Sequence, residues 1–142
     1  MATWEEYART MVAPASLGTA AKDNDIPLLA ALVARGADIN AKDARGYSAL
    51  MLAAYEGNAE ACAWLLAHGA DPNTRDNAGN SVLMGAAFKG HTALVRALLA
   101  AGADASALNH SQLGAREIAS MFGRAEIVKL LEEHTRAATL AR

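Results

Sequence analysis

The chain has a single cysteine, Cys62, in 142 residues. One thiol excludes an intramolecular disulfide and leaves a cysteine-based metal site without partners, so packing alone has to hold the fold. Charge of one sign is also missing: 13 Lys and Arg stand against 15 Asp and Glu, a formal net charge of −2. That balance gives no bulk attraction to phosphate backbones or anionic lipid, and nucleic acid is not expected as a partner. The opening Met1-Ala2-Thr3-Trp4-Glu5-Glu6-Tyr7 has neither the basic start nor the apolar stretch of a secretion signal. No apolar run is long enough to span a bilayer. A cytoplasmic chain without membrane contact is the expectation, and its length predicts one domain over 1–142.

What is present is a period. Gly-Ala-Asp begins at Gly36, Gly69 and Gly102, which are equally spaced, and a second series, Gly57, Gly90 and Gly123, keeps the same interval. Laying 43–75 over 76–108 matches Asp43 with Asp76, Gly46 with Gly79, Ser48 with Ser81, Leu50 with Leu83, and Leu65-Leu66 with Leu98-Leu99. A repeat of this length signals a stacked architecture.

Each unit reads as turn, helix, tight turn, helix. Asp43-Ala44-Arg45-Gly46 and Asp76-Asn77-Ala78-Gly79 have Asp first and Gly fourth, as type I turns do, and predict hairpin tips. Ser48 and Ser81 suit helix N-termini, while Gly57 and Gly90 permit a left-handed stop. In the second helices Leu28-Leu29 with Leu32-Val33, Leu94-Val95 with Leu98-Leu99, and Ile127-Val128 with Leu131 recur at the spacing of one buried face. Leu66 and Leu99 are the expected stability-critical positions on that face. Cys62 aligns with Leu29, Val95 and Val128 and reads as a small buried hydrophobe. The pairs Ala20-Ala21, Ala53-Ala54 and Ala86-Ala87 let neighbouring first helices approach closely.

The string from Asp43 to Ala54, then Gly57-Asn58, then Leu65-Leu66-Ala67-His68-Gly69-Ala70-Asp71-Pro72-Asn73, closely resembles an ankyrin repeat, and the following unit resembles it equally. The resemblance covers roughly residues 15 to 134. It implies an all-α ankyrin-repeat solenoid of helix-turn-helix units with β-hairpin-like connecting loops. The family's Thr-Pro-Leu-His reads Ser48-Ala49-Leu50-Met51 and Ser81-Val82-Leu83-Met84 here, which predicts less sharply fixed helix starts. The expected division is a cap helix over 3–13, a degenerate first repeat over 14–42, full repeats at 43–75 and 76–108, a capping repeat over 109–134 and a tail over 135–142. Thr3-Trp4-Glu5-Glu6 is a capping-box pattern opening the first of these, with Trp4, Tyr7, Ala8 and Met11 on one side and Pro14 ending it. At the far end the series Leu17, Leu50, Leu83 continues as Arg116, and Val33, Leu66, Leu99 continues as Glu132. Two buried slots turned charged predict a terminal unit that faces water, with no further repeat stacked on it.

No spacing brings a nucleophile, a base and a charge stabiliser together: His-Glu-x-x-His, a phosphate-binding glycine loop and Gly-x-Ser-x-Gly are all absent. His68, His91, His110 and His134 are dispersed and read as structural or solvated. No catalytic residue, cofactor or metal is assigned, and the chain is not expected to be an enzyme. The resemblance implies instead a protein–protein interaction module that holds its partner by the concave face and the hairpin tips. The matching positions are Tyr47, Tyr55, Glu56, Phe88, Lys89, Met121 and Phe122, with Arg45, Asn77 and Asn80 at the tips. Tyr55 and Phe88, equivalent positions of consecutive units, are expected side by side at the centre, with Glu56 and Lys89 as oppositely charged neighbours. Among only seven aromatics these suit an interface, the alternative being that they pack inward. Met51 and Met84, each four residues before a ring, fit either a place in that face or burial beneath it. An alternative function is a non-catalytic accessory or stabilising subunit of an enzyme, which co-purification with one stoichiometric enzyme would reveal. The free chain is expected to be monomeric, and the partner is another protein.

Overall fold

Each first helix of the three leading units begins at a serine hydroxyl. Ser16, Ser48 and Ser81 hold extended backbone, and their Oγ atoms accept the amide N–H of Thr19, Met51 and Met84. At Ser81 the bond is reciprocal, because the Met84 Sδ accepts the serine's own N–H at 3.4 Å. A serine cap therefore fixes each start, and the family's missing proline does not blur it. Gly57 and Gly90 stop two of these helices at φ 78° and 80°. A Cβ on Gly57 would come within 2.8 Å of the His91 ring, so both conformation and space require glycine there.

The computed structural model describes Thr3 and residues 16–141. The expected cap helix over 3–13, with Trp4, Tyr7, Ala8 and Met11, and Pro14 after it, lies outside the described residues apart from Thr3. Among the described residues there are eight helices and no strand. They come in four pairs: α1 (Leu17–Lys22) with α2 (Ile26–Ala34), α3 (Ala49–Glu56) with α4 (Ala59–Ala67), α5 (Val82–Lys89) with α6 (Thr92–Ala100), and α7 (Ala115–Met121) with α8 (Ala125–Leu140). First helices pack in the order α1, α3, α5, α7, and second helices in the order α2, α4, α6, α8, which makes an all-α repeat fold. Ala20, Ala21, Ala53, Ala54, Ala86 and Ala87 are fully buried, and their methyl groups let the first helices close on one another. None of these helices is long and apolar enough to cross a membrane. The last one runs on to Leu140, so residues 135–140 continue a helix instead of forming a separate tail.

Between pairs, isolated antiparallel bridges join Lys42 to Ser48 and Arg75 to Ser81. The turns they enclose are organised by one carboxylate each. Asp43 Oδ1 accepts the N–H of Arg45 and Tyr47, and Asp76 Oδ1 accepts that of Ala78 and Asn80. A third turn of the same kind lies at 109–112. There Asn109 Oδ1 accepts from Ser111 and Leu113, and Gln112 sits at φ 63° where the other turns have glycine. A pattern of Asp first and Gly fourth passes over this turn, although an Asn carbonyl does the same accepting.

The second helices bury the expected face, with Leu29, Cys62 and Val95 in the core, but the stability-critical leucines are not Leu66 and Leu99. Leu65 and Leu98 are fully buried, whereas Leu66 and Leu99 are half-buried. Adjacent side chains on a helix diverge by about 100°, so only one leucine of each pair faces the core squarely. At the far end Leu50 and Leu83 are buried while their counterpart Arg116 is exposed. Its guanidinium Nη1 lies 3.1 Å from Glu132 Oε1, so the two charged replacements pair with each other on the surface.

In urea denaturation, Leu65→Ala or Leu98→Ala is expected to cost about 2–5 kcal/mol, and Leu66→Ala or Leu99→Ala distinctly less. The reverse order would return the core face to Leu66 and Leu99. Replacing Arg116 and Glu132 together by Leu joins their surface to the neighbouring apolar core, and sedimentation of the double variant is expected to show association beyond that of the unsubstituted chain.

Candidate functional site

The first helices and the turns before them line one groove of about 480 Å³. Met51 and Met84 are both buried and form its floor with Leu52, Val82 and Ile118. Above them runs a row of rings. Tyr55 and Phe88 stack with centroids 6.2 Å apart and planes 11° from parallel, and Phe88 meets Phe122 edge to face at 4.6 Å and 81°. The ends of the row are open, Tyr55 being 43% and Phe122 49% exposed, while Phe88 between them is half-buried and packs against the core. The Lys89 ammonium lies 4.8 Å from the centre of the Tyr55 ring, a cation–π contact.

The backbone beneath the first two of these rings is held by the unit that follows each. The Tyr55 carbonyl accepts from His91 Nε2 at 3.2 Å, and the Phe88 carbonyl accepts from Arg124 Nε at 3.2 Å. Asn58, at the corresponding place one unit earlier, donates from Nδ2 to the carbonyls of Ala21 and Lys22 at 2.9 and 2.7 Å. A carbonyl only accepts, so Nε2 of His91 is the donor in this contact. Neighbouring tips are joined in the same manner. The Asn77 amide N–H donates to the Arg45 carbonyl at 3.0 Å, its Nδ2 donates to the Ala44 carbonyl at 2.9 Å, and the His110 N–H donates to the Ala78 carbonyl at 3.0 Å.

Of the residues singled out from sequence, Arg45, Tyr47, Tyr55, Glu56, Asn80, Phe88 and Phe122 line the groove. Lys89 reaches it through the Tyr55 ring. Asn77 does not line it, because its side chain ties two tips together. Asn80 lines it with a side chain already engaged: Nδ2 donates to Asp76 Oδ2 and Oδ1 accepts from Asn109 Nδ2. Met121 falls in register with Tyr55 and Phe88, yet α7 ends on it and the next residue, Phe122, completes the row. Leu52, Gly85 and Ile118 also line the groove without having been singled out; Asn58, His91 and Arg124 are structural donors, a role the sequence indicated only for His91, as a structural histidine. Both sets recur at the interval of the repeat, the second concealed because three unlike side chains share only the ability to donate.

A family model described as ankyrin repeats (3 copies) matches residues 17–109. No curated protein matches the chain.

Among the described residues, no group of three or more His, Cys, Asp or Glu is placed to hold a metal ion. Cys62 lies away from the groove, within the core, and burial pushes its thiol up from 9.0 to about 12. Alkylation requires the thiolate, which is almost unpopulated far below such a value. At about pH 8 the folded chain is therefore expected to resist iodoacetamide and the urea-denatured chain to react readily, as followed by mass spectrometry. Equal rates in the two states would place Cys62 at the surface.

Proposed function

The chain belongs to the ankyrin-repeat family, and from that premise we propose that it is a protein-recognition module whose partner protein lies along the groove and the loop tips. Repeats of this family generally mediate binding to other proteins. In this reading the helix pairs stack as a solenoid, with 43–75 and 76–108 as full units between a degenerate unit at 14–42 and a closing unit at 109–134. The bridged loops serve as hairpin-like fingers. Arg45, Tyr47, Tyr55, Glu56, Phe88, Lys89 and Phe122 make the contacts.

The observation that carries the reading is the row Tyr55, Phe88, Phe122, open at both ends, with the carbonyls of Tyr55 and Phe88 already held by the unit that follows each. Rings held in advance lose little freedom on contact, so more of their burial appears as affinity. Aromatic side chains are the usual anchors of protein interfaces. Glu56 and Lys89, of opposite charge, orient the partner while the rings supply most of the energy.

A partner isolated by affinity capture gives the test. Tyr55→Ala combined with Phe122→Ala removes the two open rings and is expected to weaken its binding by about 2 kcal/mol or more. The melting temperature should change little. Phe88→Ala differs, because it withdraws a half-buried ring from the packing and is expected to lower stability as well as affinity. Undiminished binding by a normally melting Tyr55→Ala/Phe122→Ala variant would overturn the proposal.

A further inference from the structure

Position 85 breaks a series. Leu52, Gly85 and Ile118 occupy the same place in three successive units, and all three line the groove. Gly85 lies inside α5 and has no positive φ, so no turn or left-handed stop calls for glycine. A glycine within a helix is destabilising relative to alanine. Packing does not call for it either. A Cβ built on Gly85 would meet no atom within 4 Å, whereas one on Gly18 would lie 2.9 Å from Leu52 Cδ1. The middle of the groove therefore holds an open notch at the position where the flanking units carry Leu52 and Ile118, beside the ring row.

The polar groups of the groove differ in what they have left to offer. Asp76 is engaged, with Oδ1 accepting from Ala78 and Asn80 N–H and Oδ2 from the Asn80 amide. Lys22 and Glu56 also line the groove, with opposite charges that leave it no net sign between them. At the tip end, the Arg45 guanidinium and the Tyr47 hydroxyl have no hydrogen-bond or ion-pair partner among the described residues. Guanidinium has donors and no acceptor, so what meets it brings an acceptor, and a carboxylate matches its fork and its charge.

Resting on the recognition reading above, we infer that the groove takes a linear peptide segment of the partner that combines an apolar anchor with an acid. One large apolar side chain fills the notch at Gly85, and a carboxylate a few positions away pairs with Arg45. The anchor supplies most of the affinity, as side chains seated in a desolvated pocket do, and the ion pair sets the direction of the segment. Gly85 thus acts as a specificity-determining position, and its cost to helix stability has a use.

The probe is a displayed library of random, unphosphorylated linear peptides panned on the full chain. Enriched peptides are then titrated against the unsubstituted chain, Gly85→Leu, Gly85→Ala, Arg45→Glu and Tyr55→Ala/Phe122→Ala. Enriched sequences are expected to pair Leu, Ile, Met or Phe with a nearby Asp or Glu. Gly85→Leu fills the notch from within and should weaken binding about tenfold or more, with Arg45→Glu losing a similar factor. Gly85→Ala should melt higher by roughly 3 °C and still bind more weakly, a combination that a purely structural role does not give. Enrichment of peptides lacking either element, no enrichment at all, or unchanged affinity in folded Gly85→Leu and Gly85→Ala would overturn the inference. Where the Gly85 variants bind normally and Tyr55→Ala/Phe122→Ala does not, this inference falls and the recognition reading stands. Where none of them binds more weakly, both fall.

Discussion

A helix leaves its last backbone carbonyls without partners of its own, and in this chain the next unit supplies the missing donors. Asn58, His91 and Arg124 reach back to carbonyls at the ends of α1, α3 and α5. The relation fixes more than helix ends. The carbonyls taken by His91 and Arg124 belong to Tyr55 and Phe88, so the contact that sets one unit on another also sets the rings of the groove. Gly57 takes part as well, because any larger residue would collide with the His91 ring that makes the bond.

The fold was legible because its determinants are local and recur. A serine before an apolar run, a glycine after it and an Asp-led turn each act within a short length of chain, and a fixed interval multiplies the signal. What sequence reading missed depends on directions in space. Which leucine of Leu65-Leu66 faces the core squarely turns on one helical step, invisible in a sequence that places two leucines together. Asn77 looked like a tip residue free to meet a partner, yet the tip one unit earlier already holds its amide. The turn at 109–112 escaped because Asn109 and Gln112 do by other letters what Asp and Gly do elsewhere.

Local rules and global shape agree over most of the chain and part company in the groove. Flexible methionines are buried beneath the groove, and an unstrained glycine interrupts a good helix. Such departures from local preference collect where a protein meets something else. Here they leave the first helices with an apolar floor, an open centre and a ring row whose Tyr55 and Phe88 carbonyls are held by the unit that follows each.

The bonds between units run in both directions. His91 and Arg124 reach back along the chain, while Asn73 reaches forward to the Gly102 carbonyl and Arg75 to that of Leu108. The two sets act together as a gauge of length. A residue inserted into α6 would turn one end of its unit by about 100° against the other, and only one set could still meet its acceptors. A changed letter is easier to accommodate, since asparagine, histidine and arginine all serve at the same slot. The array tolerates substitution at its seams far better than insertion, and the interval between units stays constant while the side chains that span the seams differ from one unit to the next.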